Sequence, residues 1–287
     1  MGNLIGCGRR TLQLARVDDS IEDHVSELPV SGSHGPSGRV LLLPDVSGVH
    51  SQTTRDFALS LSREHNLAVI LVDIFRGDPW DASQEGATYE MWRARHTNAK
   101  VDRVVASAIR FATAKYGKSV SILGLCFGGG AGWRAAERSR ASPEINAAVL
   151  CYPTRVAPRR RASYRVPTLV VLAETDACAH PTMPYADYVE RLRMAEARSN
   201  GRVRVELFKG CTHGFLHRRR DEADANEELD AVRQAQTHIR HHLRMHANTV
   251  MENYDPCESP GPEGPQVTDR TYAAWAADDA PPAGGRV

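Results

Sequence analysis

Cys126 stands in Gly124-Leu125-Cys126-Phe127-Gly128, with two further glycines after it. The pattern is that of a nucleophile elbow, Gly-x-nucleophile-x-Gly, with a thiol where a hydroxyl is more common. The residues two before and two after the nucleophile of such a turn crowd together, which gives glycine at 124 and 128 a steric reason. The turn lifts the side chain clear of its strand and sets it at the N-terminus of the next helix. There the dipole favours an anion, so thiolate formation is assisted. The competing reading is a small buried cysteine between packing glycines. A thiol nucleophile needs a base, and the base needs an orienting group. Asp176, in "AETDACAH", and His213, in "KGCTHGF", supply the two types in the order nucleophile, acid, histidine. Alone, the aspartate would be a turn residue and the histidine a solvated one. Together they make a set suited to acyl transfer.

The elements that must position this set are short apolar runs with helix-length spacers. "RVLLLP" (39 to 44), "LAVILVD" (67 to 73), "SVSILG" (119 to 124), "NAAVLCY" (146 to 152), "PTLVVLA" (167 to 173) and "VRVELF" (203 to 208) read as strands. Most are continuous rather than alternating, as expected for strands buried on both faces of a mainly parallel sheet. Between 97 and 115, Val101, Val104, Val105, Ala108, Ile109 and Ala112 recur at helical steps, and 129 to 140, 184 to 198 and 222 to 245 also read as helices. The alternation predicts an α/β fold, a mainly parallel central sheet with helices on both faces. Cys126, Asp176 and His213 then fall on loops at the carboxyl ends of successive strands, on one rim of the sheet.

With these motifs the chain resembles the dienelactone hydrolase family, the cysteine-nucleophile branch of the α/β-hydrolases that includes carboxymethylenebutenolidases. "GLCFGGG" matches the family's elbow, "THGF" its histidine loop, "ETD" its acid loop, and "LLLPDVSGV" and "VDIFRGDPW" its first two central strands and the loops after them. The resemblance runs over about residues 36 to 245 and implies an α/β-hydrolase fold. It implies Cys126 as nucleophile, His213 as base and Asp176 as its orienting acid, with the backbone N–H groups of Val46 and Phe127 as oxyanion hole. It also gives Asp45 a part in deprotonating the cysteine, although members often carry the longer glutamate there. Arg76 falls near the position of a carboxylate-binding arginine. A second arginine expected soon after the histidine is replaced by His217, and Arg218 is the nearest guanidinium. A planar guanidinium suits a carboxylate because it binds two oxygens at once. No cofactor and no metal are expected.

A second constellation competes for two of these loops. Cys178 and His180, and Cys211 and His213, form two Cys-x-His pairs of zinc-binding types, but the one-residue spacer is tighter than usual, so the triad is preferred. The whole chain of 287 residues carries 41% hydrophobic and 25% charged residues, an ordinary globular balance. A net charge of +1 offers no global field for nucleic acid, and Arg159–Arg161 and Arg218–Arg220 read as solvated surface. No apolar run has the length of a membrane span, and six scattered cysteines without an export signal suggest reduced thiols in a cytoplasmic setting. Three regions are expected: residues 1 to 30, weakly structured with one strand-like stretch, "TLQLARV"; a catalytic domain over 31 to 247; and a disordered Pro/Gly/Ala/Asp-rich tail from 248 to 287. Gly2 would be terminal after loss of Met1 and Cys7 offers a palmitoylation site. Residue 6 is glycine rather than serine or threonine, so an ordinary start is preferred over an acylated membrane anchor. The expected function is hydrolysis of a small ester or enol lactone, one that carries a carboxylate if Arg76 lines the pocket, through a covalent acyl-enzyme. A general carboxylesterase or thioesterase, or a non-catalytic ligand-binding descendant, are the alternatives. The oligomeric state is not legible.

Overall fold

The structure, a computed structural model, describes residues 20–28, 38–116, 119–138, 144–159, 164–218 and 226–246. "TLQLARV", Gly2, Cys7 and the segment from 248 to 287 lie outside the described residues. Seven strands follow in chain order: β1 (Val25–Glu27), β2 (Gly38–Leu43), β3 (Leu67–Val72), β4 (Val120–Leu125), β5 (Ile145–Cys151), β6 (Thr168–Thr175) and β7 (Val203–Thr212). The helices are α1 (Gln52–His65), α2 (Tyr89–Arg95), α3 (Asn98–Tyr116), α4 (Phe127–Arg138), α5 (Tyr185–Arg198) and α6 (Asn226–His246).

The strands form one sheet in the order β1-β3-β2-β4-β5-β6-β7. Every pair is parallel except β1 with β3, an antiparallel edge of three residues inside the N-terminal segment that the sequence sets apart. β4 and β5 are buried at every position, which is why "SVSILG" and "NAAVLCY" are continuous apolar runs rather than alternating ones. α3 buries Val101, Val104, Val105, Ala108, Ile109 and Ala112, the stripe read from the sequence. Fully burying each of the larger of these aliphatics is worth about 1.5–3 kcal/mol, which is what fastens the helix to the sheet. No helix among the described residues is long and apolar enough to cross a membrane.

Register does the positioning. Leu43 pairs with Gly124, Gly124 with Leu150 and Cys151 with Val171, so β2, β4 and β5 end on one line. The chain leaves that line as Asp45, Cys126 and Tyr152. β6 and β7 run further, and after an irregularity past Ala173 their ladder closes with Thr175 opposite Thr212. The next residue on each strand is Asp176 and His213.

Candidate active site

Cys126 sits between β4 and α4 with φ +50°, in the left-handed region that a non-glycine residue occupies at a cost. The surroundings hold it there. Its N–H donates to the Cys151 carbonyl at 3.0 Å, and its own carbonyl accepts from Thr154 N–H at 3.1 Å and Gly130 N–H at 3.2 Å. The flanking glycines are required by contact: a Cβ on Gly124 would stand 2.4 Å from the Gly128 carbonyl oxygen, and one on Gly128 would stand 2.3 Å from that of Leu43. The Gly128 N–H donates to the Pro44 carbonyl at 3.1 Å, which sets the loop carrying Asp45 and Val46 against the first turn of α4.

The thiol is buried, 8% exposed. Burial pushes its pKa up and the negative charge of Asp45 adds to that, while the Phe127 N–H works the other way. The assistance that the helix terminus gives the thiolate is therefore opposed in this site. Desolvation and a neighbouring carboxylate outweigh the helix terminus, so the resting group is a thiol.

Asp176 and His213 meet as the register implies. His213 Nδ1 donates to Asp176 Oδ2 at 2.7 Å, and the Cys178 N–H donates to the other oxygen, Oδ1, at 2.8 Å. The Asp176 side chain is 1% exposed and that of His213 is 20% exposed, so the imidazole is the end that faces outward. Cys178 also lies here, its ligand atom within 4.8 Å of those of Asp176 and His213, a trio with metal-binding types. Burial and the Asp176 charge hold the Cys178 thiol protonated. Among the described residues neither His180 nor Cys211 joins that group, and Cys211 is buried in β7, so the two Cys-x-His pairs do not assemble into one site.

Asp45 does not hydrogen-bond to Cys126. Its Oδ1 accepts from Ser47 N–H at 2.9 Å and its Oδ2 from His217 Nε2 at 2.8 Å. His217 in turn meets the hydroxyl of Tyr152 through Nδ1 at 2.7 Å. Tyr152 was not legible as a site residue: it closes an apolar strand, and its φ of +36° has no signature in residue type. His217 is marked in the sequence only as the occupant of an arginine position.

The two substrate-binding arginines fare differently. Arg76 is exposed in a turn, at φ +53°, that Asp73 holds through the N–H groups of Phe75 and Gly77, at 3.1 and 2.6 Å. Asp78, two residues on, bonds to Arg95 and His96, and the Arg95 hydrogen bond holds its carboxyl below the usual range. Arg218 turns back onto the fold, pairing with Glu228 of α6 and donating to Thr212 Oγ1 at 3.0 Å. In this structure the strand-end threonine and the buried glutamate thus engage the guanidinium expected at the substrate. Arg155, which no motif in the sequence marks, stands exposed at φ +54° directly after Thr154, whose N–H is bonded to the elbow. Over the elbow, Phe127 meets Phe75 and Trp92 edge-on, with ring centroids 5.2 and 5.8 Å apart, and the Arg93 guanidinium lies 5.2 Å over its ring. Burial pushes Tyr89 of the same cluster up in pKa, opposed by the Arg155 guanidinium.

A parallel-rich sheet with its nucleophile candidate at a strained strand–helix turn, and an acid and a histidine on the following strand ends, defines an α/β-hydrolase fold. The chain belongs to the dienelactone hydrolase family, whose model matches residues 29–243. The mouse carboxymethylenebutenolidase homolog is 26% identical over 206 residues, covering 71% of this chain and 79% of that protein, and the human one is 24% identical over the same span. Among solved structures, the putative dienelactone hydrolase of Klebsiella pneumoniae aligns over 76% of this chain and 91% of its own, with a TM-score of 0.58 and 20% identity. The dienelactone hydrolase of Anabaena variabilis aligns over 78% and 92%, with a TM-score of 0.53 and 18% identity. These two establish the likeness of fold.

Proposed function

We propose that the protein hydrolyses an ester or enol lactone through a covalent acyl-enzyme on Cys126. The observation that carries this reading is the left-handed Cys126 elbow on the same rim as the Asp176–His213 pair. With Nδ1 donating to Asp176, His213 is held in one tautomer and orientation, leaving Nε2 to exchange protons with the nucleophile. Because the resting thiol is protonated, attack proceeds with proton transfer to His213 as the substrate carbonyl arrives. The N–H groups of Val46 and Phe127 donate to the developing oxyanion; Phe127 opens α4, where the first N–H groups have no helical acceptor. His213 then returns the proton to the departing alkoxide or enolate, and a water activated by the same imidazole releases the acid. An activated ester or enol lactone suits this site better than an amide, since a thiolate leaves the tetrahedral intermediate more readily than an amine does.

A carboxylate elsewhere on the substrate would meet Arg76 and Arg155, the two exposed guanidinium groups in left-handed turns beyond β3 and β5. The test is a screen of lactones and short esters, with Cys126→Ala alongside. Turnover of an enol lactone or ester by the wild-type protein, abolished in the variant, is the expected result. Undiminished turnover in Cys126→Ala would end the cysteine mechanism.

A further inference from the structure

Two carboxylate–imidazole pairs, not one, border this elbow, and a single tyrosine stands between them. The Tyr152 ring meets His213 edge-on, with centroids 5.2 Å apart, and stacks on His217 at 5.7 Å with an interplanar angle of 11°. His213 and His217 come from one turn, closed by the His217 N–H donating to the Gly214 carbonyl at 3.1 Å. The second pair is enclosed: Tyr152 is fully buried, and the side chains of His217 and Asp45 are 6% and 16% exposed.

The chemistry of the chain fixes its protons. The Asp45 carboxylate can only accept, so Nε2 carries a hydrogen, and the Tyr152 hydroxyl meets Nδ1. Both nitrogens of His217 are occupied, so none is left for a substrate. Both oxygens of Asp45 are occupied as well, by His217 and the Ser47 N–H. The loop that follows is tied down on either side, by Gly128 N–H on the Pro44 carbonyl and by Trp80 N–H on the Val46 carbonyl at 2.8 Å. His217 ties this loop to the histidine loop.

We propose that His217 and Tyr152 are positioning residues: they clamp Asp45, so that the Val46 N–H is preorganised opposite Cys126 and the carboxylate stays on its own partners rather than on the thiol. The role within turnover rests on the reading of Cys126 as nucleophile, and one readout is chosen to be independent of turnover. The clamp carries no proton through the reaction; it acts by fixing a donor and a charge.

The experiment compares His217→Phe, which keeps the stacked ring and loses both nitrogens, His217→Gln, which keeps a donor for Asp45, and Tyr152→Phe. Each is measured for kcat and KM on a neutral ester, for the iodoacetamide alkylation rate of Cys126 in the resting protein, and for thermal midpoint. A displaced donor is expected to lower kcat about 10- to 100-fold in His217→Phe, with KM within about threefold of wild type. His217→Gln should recover most of kcat, Tyr152→Phe should fall between, and the alkylation rate should change in His217→Phe and return in His217→Gln. Wild-type kcat and alkylation in a folded His217→Phe protein would overturn the proposal. So would a loss in kcat that tracks only the thermal midpoint and is not recovered by glutamine. If His217→Phe does not fold, Tyr152→Phe and His217→Gln decide on the same two readouts. Should Cys126 prove not to be the nucleophile, the Cys126→Ala control reveals that separately, while the alkylation rates still report whether His217 governs the surroundings of the thiol.

Discussion

His213 Nδ1 lies 2.7 Å from Asp176 Oδ2, and the pair is graded from inside to outside, with the carboxylate enclosed and the imidazole reaching the rim. Removing either end should therefore have different consequences. Cys126→Ala and His213→Ala should lower ester hydrolysis by about a thousandfold or more, and Asp176→Asn should be severe because it disturbs the tautomer. The far-ultraviolet circular dichroism of Cys126→Ala and His213→Ala should match wild type, since both side chains sit past the ends of the ladder. Steady-state kinetics on one activated ester checks all three.

The elbow predicts a stability effect as well as a kinetic one. Alanine at Gly128 would place a methyl 2.3 and 2.5 Å from the carbonyl oxygens of Leu43 and Pro44, and neither backbone can move without shifting β2. Gly128→Ala should cost about 2 to 4 kcal/mol in urea unfolding, with loss of activity in what remains folded. A variant as stable as wild type would mean that the contact between α4 and the β2 loop is looser than described.

Stability should also fall in mild acid. Burial lowers His242 in α6 from 6.5 to about 4, with its Nε2 donating to the Pro167 carbonyl at 3.2 Å. Between those two values the unfolded chain binds a proton that the folded chain refuses. Stability is thus full above about pH 6.5 and is lost as pH falls toward 4, by about 2–3 kcal/mol from this residue. Burial lowers His246 too, which works in the same direction. Urea midpoints across that range should drop in the wild type and drop less in His242→Gln; parallel curves would exclude the assignment.

Much of this was legible from residue types, for identifiable reasons. β4 and β5 are sandwiched between helices, so their burial is written as unbroken apolar runs, and α3 shows its buried stripe at helical spacing. The glycines around Cys126 are visible because backbone meets backbone there. What escaped carries weaker marks. β1 has three residues, too few for a pattern, and α2 has seven. α1 has a narrow buried stripe of Thr54, Phe57, Ala58, Leu61 and Ser62, two of the five polar. The Asp45–His217–Tyr152 chain joins three strand ends far apart in sequence, and only the register brings them together. The orientation of Arg218 depends on Glu228 across the β7–α6 connection, which no local pattern records.

Substrate charge can be read with a matched pair, a free acid and its methyl ester. A partly desolvated guanidinium–carboxylate contact is worth roughly 1.5 to 3 kcal/mol, or about 10- to 150-fold in kcat/KM. Arg76→Ala and Arg155→Ala are each expected to weaken the acid within that range and to leave the ester nearly unchanged, whereas Arg218→Ala should not discriminate between them. Equal losses on acid and ester would assign Arg76 and Arg155 to loop order instead.

The cysteine mechanism requires a covalent intermediate. Rapid mixing with an activated ester, acid quench and intact-mass spectrometry should reveal an acyl adduct, and peptide mapping should assign it to Cys126. Replacing His213 with alanine should slow its formation and its release, and Cys126→Ala should carry none. An adduct on another residue, or steady turnover by Cys126→Ala with no adduct at all, would contradict the assignment of Cys126 as the nucleophile.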